Sequence, residues 1–282
     1  MTLAFSSCPN DTFMFHALVS GLIDTEGLSF DVDIHDVEEL NERALRGVYD
    51  VSKISYHGWF TVRDNYEMLS SGSALGWDCG PLLVCRSGDG DVLKRRGLRI
   101  AVPGRFTTGA LLCSLAYPGL GEQVPMLFSD IESAVVQGDV DLGILIHEGR
   151  FTYLDKGLDL VCDLGSWWQR TSGCPIPLGG IAVRRSLGSE FASCFDRVLR
   201  RSIQYAFAHP EASREYVASY ARELSADIQE KHIELFVNRF SLDLGVEGRR
   251  AIDELYRRYE RNYLCGGREE TLQHGRQCGE SA

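Results

Sequence analysis

The sequence predicts an α/β protein of two lobes built on mixed, largely parallel sheets. Short apolar runs alternate with amphipathic stretches along most of the chain, the pattern of strands followed by helices. A middle block, roughly residues 88 to 183, enters on one apolar run and leaves on another, "GGIAVRR". The chain would then cross twice between a large lobe of residues 1–88 plus 184–282 and a small lobe of 89–183. That is a clamshell with its ligand in the cleft at the carboxyl ends of the strands. A length of 282 residues suits two lobes, and 44% apolar with 24% charged residues is ordinary for a globular protein.

Taken in order, Leu3–Phe5 reads as a strand, "SSCPND" as a loop, and Thr12 to Ser20 as a helix. In "GLSFDVDIHD" apolar and polar residues alternate, placing Phe30, Val32 and Ile34 on one side of a strand. "DVEELNERALRG" is a helix with visible ends: Asp36 caps it, Glu39 stands in capping-box position and Gly47 closes it. Its buried face is Val37, Leu40 and Ala44. "YDVSKISY", "GPLLVCRSG" and "GLRIAVPG" are strands, and Gly109 to Ala116 is a helix. "IESAVVQGDVDLGILIHEGRFTY" reads as a helix, a Gly-Asp turn and a very apolar strand from Leu142 to Ile146. After the "GGIAVRRSLG" strand, residues 189–263 are mostly helical, with Pro210 opening one helix. The final "GGREETLQHGRQCGESA" reads as a frayed polar tail.

A net charge of −11 argues against nucleic-acid or anionic-membrane binding, which needs a basic footprint. It leaves room for a small anionic ligand held by a local pocket of donors. No apolar run reaches the length of a membrane span, and Met1 to Phe5 reads as a strand rather than a signal segment, so a cytoplasmic protein is expected. The nine cysteines are scattered without a CxxC pair, which predicts buried thiols and no metal site or disulfide framework. Oligomeric state is not legible.

Four stretches stand at strand ends and would open on one cleft: "SSCPND", "KISY", "PGRFTTG" and "IHEGRFTY". In the third, Gly104 permits a tight turn, and Thr107 and Thr108 stand where a helix begins. Hydroxyls and free N–H groups there suit an anion, and equally suit plain helix capping. Lys53 is one of four lysines and sits inside an apolar strand beside Ser55. It either pairs with a ligand carboxylate or snorkels to water. His147 follows the buried run "LGILI" and is well placed for acid–base work, with a core histidine as the plain alternative. Glu148 is its nearest acidic neighbour. "Trp167-Trp168" reads first as packing.

Together "SSCPNDTFMFHAL", "KISY", "SGSALGWDCGPLLV", "VPGRFTT" and "GILIHEGRFTY" resemble the 1,4-dihydroxy-6-naphthoate synthase family of the futalosine route to menaquinone, in the same order up to about residue 260. Ser7 departs from the pattern, where proline is expected. The resemblance implies a type II periplasmic-binding-protein-like fold. It also implies a cofactor-free carbon–carbon lyase acting on cyclic dehypoxanthinyl futalosine, an anionic substrate. By the same resemblance His147 is the catalytic base, and Lys53, Ile54, Ser55, Thr107 and Thr108 contact substrate. Chorismate dehydratase, which shares the pathway and fold, and a non-enzymatic solute-binding protein are the alternatives. A transporter's binding protein would need a secretion signal or lipid-anchored cysteine, for which the space before Ser6 leaves no room.

Overall fold

A computed structural model describes residues 1–147, 149–222 and 224–265, so Glu148, Cys278 and the polar tail lie outside the described residues. The chain builds two sheets. The first contains β1 (Thr2–Ser6), β2 (Asp31–His35), β3 (Val51–Ser55), β4 (Tyr66–Met68), β5 (Ala74–Gly76) and, from much later in the chain, β11 (Ile176–Arg184). The second has the order β10-β6-β9-β7-β8, with β6 (Leu82–Arg86), β7 (Leu98–Val102), β8 (Gly121–Pro125), β9 (Leu142–Leu145) and β10 (Leu158–Asp163).

Pairing is parallel where helices return the chain to the same edge, in β2-β1-β3 and in β8-β7-β9. It is antiparallel where the chain passes between sheets: β11 against β3, β4 and β5, and β6 against β9 and β10. Strands β4, β5, β8 and β10 were not expected. Tyr66–Met68 and Ala74–Gly76 are too short for a periodic signal, and Gly121–Pro125 is polar and largely exposed.

Helix α1 (Pro9–Val19) begins three residues before the expected Thr12, because Pro9 fits the first helical position. Asn10 and Asp11, expected in a loop, form its first turn. Helix α2 (Val37–Leu45) is capped as expected, the Asp36 carboxylate accepting from Glu38 N–H at 2.8 Å. Glu39 closes no capping box. It pairs instead with Arg43 and His35. Val32 is exposed, so only Phe30 and Ile34 of that strand pack on the core.

Helix α3 (Tyr56–Val62) follows β3 directly. The second sheet carries α4 (Thr108–Ala116), α5 (Phe128–Gln137), α6 (Gly149–Thr152) and α7 (Leu164–Ser172). After β11 come α8 (Ser189–Ala208), α9 (Arg214–Tyr220), α10 (Ala226–Phe236), α11 (Arg239–Leu242) and α12 (Gly245–Tyr259). Pro210 opens a 3₁₀ turn ahead of α9. Trp168 is fully buried, with its indole N–H donating to Pro175 carbonyl, which bears out packing.

Where the chain passes between the sheets, two glycines meet. A Cβ on Gly80 or on Gly165 would overlap the backbone of the other. The side-chain-free contact lets the two segments cross in direct backbone contact. Arg150 closes over it, donating to the Gly80 carbonyl at 2.6 Å and to Asp163 at 2.8 Å.

Candidate functional site

The carboxyl ends of β1, β3 and β9 and the start of α4 converge on one cleft of about 740 Å³, its open mouth included. Its lining includes Ser6, Asn10, Lys53, Ser55, Thr107, Thr108, His147, Arg150 and His232.

The wall from the first sheet is built around a buried carboxylate. Asp11 is 0% exposed and stands in the first turn of α1, where the helix dipole favours negative charge. It accepts from Ser6 Oγ at 2.7 Å, from Ser6 N–H at 3.2 Å and from Asn10 Nδ2 at 2.8 Å, and it is ion-paired with the Lys53 ammonium. Every oxygen of this charge is satisfied, as an enclosed carboxylate requires. Lys53 is 6% exposed, so the snorkelling reading is overturned: a carboxylate on the same wall holds the ammonium inside.

Alternation along β3 decides the next residues. Lys53 and Ser55 face the cleft, whereas the Ile54 side chain points to the opposite face and packs with Ala44, Val62, Tyr66 and Ala182. Ser55 is oriented by Asn41 of α2, whose Oδ1 accepts from Ser55 N–H at 2.9 Å while its Nδ2 donates to Ser55 Oγ at 3.2 Å. An accepting hydroxyl keeps its own proton for a ligand.

On the facing wall, the threonine hydroxyls are already committed to the backbone. Thr107 Oγ1 donates to Gly104 carbonyl at 2.9 Å and caps α4 by accepting from Ala110 N–H at 3.4 Å. Thr108 Oγ1 donates to Leu178 carbonyl on β11 at 2.6 Å. The capping reading is therefore observed, and Thr107, Thr108 and Gly109 at the start of α4 line the cleft.

Residues of the first-sheet side grip this loop from behind. Glu38 of α2 accepts from Phe106 N–H at 3.1 Å and lies where a Gly104 Cβ would be. Burial pushes its carboxyl up. The His57 imidazole donates through Nδ1 to Thr107 carbonyl at 3.2 Å, and burial pulls it down to about 4.

His147 sits two residues beyond β9 with φ of +54°, in the left-handed region where a side chain other than glycine is strained. Phe128 meets its ring edge-on at 5.0 Å. Cys8 Sγ lies 3.5 Å from both ring nitrogens. Equal distances place the sulfur over the ring rather than in line with either nitrogen. The thiol is therefore a wall of the histidine pocket as well as a loop residue.

The structure thus brings Lys53, Ser55, Thr107, Thr108 and His147 to one cleft and leaves the Ile54 side chain outside it. Sequence reasoning missed Asp11, Arg150 and His232. Asp11 and Arg150 were inside the quoted stretches, in "CPND" and "HEGR", and a buried Lys53 required some partner. His232 lies in "EKHIELF", an amphipathic run in which nothing marks a cleft residue, and only the docking of α10 on α1 brings it there.

Two sheets with their helices, joined by crossing segments and carrying charged and imidazole groups on one cleft, define a protein of the periplasmic-binding-protein fold. A Candida albicans protein described as having that generic fold aligns at TM-score 0.68, with 14% identity over 92% of this chain and 89% of its own. A protein of Archaeoglobus fulgidus aligns at TM-score 0.87, with 38% identity over 93% of this chain and 97% of its own. Residues 1–261 match the model of the menaquinone biosynthesis family. The 1,4-dihydroxy-6-naphthoate synthase of Thermus thermophilus is 45% identical over 94% of this chain and 96% of its own length. That of Streptomyces coelicolor is 43% identical over 92% of each. The chain belongs to this menaquinone biosynthesis family, the family of the 1,4-dihydroxy-6-naphthoate synthases.

Proposed function

We propose that the protein is an enzyme that forms 1,4-dihydroxy-6-naphthoate from cyclic dehypoxanthinyl futalosine, as a carbon–carbon lyase of menaquinone biosynthesis. The observation that carries this reading is identity of 43–45% to two such synthases along nearly the whole chain. The cleft fits it chemically. His147 in its neutral form takes the proton of a substrate hydroxyl. The oxygen's electron pair then forms a carbonyl as the adjacent carbon–carbon bond breaks, and the released pair is absorbed by the ring that becomes the aromatic product. The α4 amides face the anionic part of the substrate, and Lys53 and Ser55 hold its other end.

In this reading the two sheets are two lobes that close on the ligand, excluding water and strengthening polar contacts. The chain changes lobe between β5 and β6 and again between β10 and β11. That division puts β6 with the small lobe and β11 with the large one, a strand away from the 1–88/89–183/184–282 division read from sequence.

The test is incubation of the purified protein with cyclic dehypoxanthinyl futalosine, followed by chromatography. Appearance of 1,4-dihydroxy-6-naphthoate is the expected result. Tight binding without product would instead favour a binding protein. Neither binding nor turnover, with dehydration of chorismate, would move the assignment to that enzyme of the same pathway.

A further inference from the structure

The buried polar chain of the cleft ends on an imidazole that the reaction steps above leave unused. Asp11 is a carboxylate and only accepts, so Asn10 meets it through Nδ2, at 2.8 Å. That fixes the Asn10 amide, and its carbonyl oxygen is what stands 3.0 Å from His232 Nε2. A carbonyl cannot donate, so Nε2 carries the proton. His232 is 1% exposed, and burial together with His147 and Lys53 holds its imidazole well below its usual range. A second proton is therefore excluded near neutral pH, and Nδ1 is left as a bare lone pair.

That Nδ1 is buried and has no hydrogen-bond partner among the described residues. The ring lines the cleft and lies 5.7 Å from the His147 ring at 21° between planes, with Phe236 at 4.6 Å. The charged and titratable groups around it are His147, Lys53 and, through Asn10, Asp11. An enclosed acceptor without a donor is unfavourable. A bare imidazole lone pair repels a carboxylate or ether oxygen and attracts a hydroxyl.

We propose that His232 is a substrate-contact residue whose Nδ1 accepts a hydrogen bond from a hydroxyl on the sugar-derived part of the substrate, beside the base His147. This rests on the functional reading above and adds a specificity element to it: the site would discriminate against ligands lacking that hydroxyl.

Two substitutions separate this from a packing role, because they keep opposite ends of the imidazole. His232→Gln retains an amide N–H near Nε2 for Asn10 and loses the acceptor at Nδ1. His232→Asn retains an acceptor near Nδ1 and loses the bond to Asn10. The melting temperature should rank Gln above Asn. Catalytic efficiency toward cyclic dehypoxanthinyl futalosine should rank them the other way, with Asn within about 10-fold of wild type and Gln down about 10²-fold. Efficiency that follows the melting order would overturn the contact while leaving the enzyme assignment intact. Wild-type protein that neither binds nor converts the substrate would overturn both. Should neither variant fold, nitrogen NMR of histidine-labelled His147→Ala protein decides: the unprotonated Nδ1 signal of His232 must move on saturation with substrate, and an unmoved signal refutes the proposal.

Discussion

At the scale of the residue, charge and proton position are set by enclosure. His147 is the group proposed to move a proton, and its positive φ indicates a side chain held by its surroundings against local backbone preference. His147→Ala should lower kcat by about 10²-fold or more while changing substrate affinity much less. Single-turnover rates and calorimetric binding read the two separately, and near-normal turnover would remove the base assignment. His57 supplies the pH signature. Its imidazole is near 4 in the folded protein against 6.5 when exposed, so between those values the unfolded chain takes up a proton that the folded protein refuses. Stability from neutral His57 is full above pH 6.5 and is lost as pH falls toward 4, by roughly 3 kcal/mol. Glu38 works the other way. Its raised carboxyl contributes stability at low pH that is lost as pH rises through its folded value, so it offsets part of the acid loss. His57→Asn, which keeps a donor for Thr107 carbonyl, should flatten the fall in urea midpoint between pH 6.5 and 4. The slope left over belongs to His232 and other groups, and an unchanged slope would rule out His57 as a contributor.

At the scale of the element, the site depends on where strands end and where two segments cross. β1 stops at Ser6 because Pro9 starts α1, and that stop brings Ser6 and the first turn of α1 together around Asp11. β3 sends alternate side chains to cleft and core, which separates Lys53 and Ser55 from Ile54. The crossing of Gly80 and Gly165 has no slack, since each would place a Cβ on backbone rather than on a movable side-chain end. Gly165→Ala should destabilise the protein by about 1–3 kcal/mol, measured by urea unfolding. Gly157→Ala serves as a contrast: no atom stands near its absent Cβ, and its cost comes from φ of +75° alone. If Gly165→Ala unfolds at the wild-type midpoint, the crossing is looser than its geometry says.

At the scale of the whole molecule, loop 104–108 is gripped by Glu38 and His57 from the first-sheet side while Thr108 is tied to β11. These contacts span the cleft behind the ligand space, and a ligand between the walls would add to them. Substrate held at 100 times its Kd by the slow His147→Ala protein should stabilise that protein by about 2.7 kcal/mol, seen as a raised melting temperature. A melting temperature independent of substrate concentration would mean that the cleft does not bind it. No described helix is long and apolar enough to cross a membrane.

Much of this architecture is legible in the amino-acid sequence. Strands and helices long enough to show a period declared themselves: β3, β9, α2 and the helical run after β11 appear where apolar spacing placed them. The histidine at a buried strand's end, and the threonines at a helix start, were marked by position alone. By itself the sequence determined an α/β chain, a cleft at strand ends, and which short stretches line it. Only the tertiary structure decided that Lys53 answers Asp11, that both threonine hydroxyls are spent on backbone carbonyls, and that His232 joins the site from a helix far along the chain. Local spacing governs which face a side chain takes within its own strand or helix. Which partner satisfies a buried charge, or leaves a lone pair bare, depends on groups that folding brings together, Lys53 and Asp11 from 42 residues apart and His232 and Asn10 from 222.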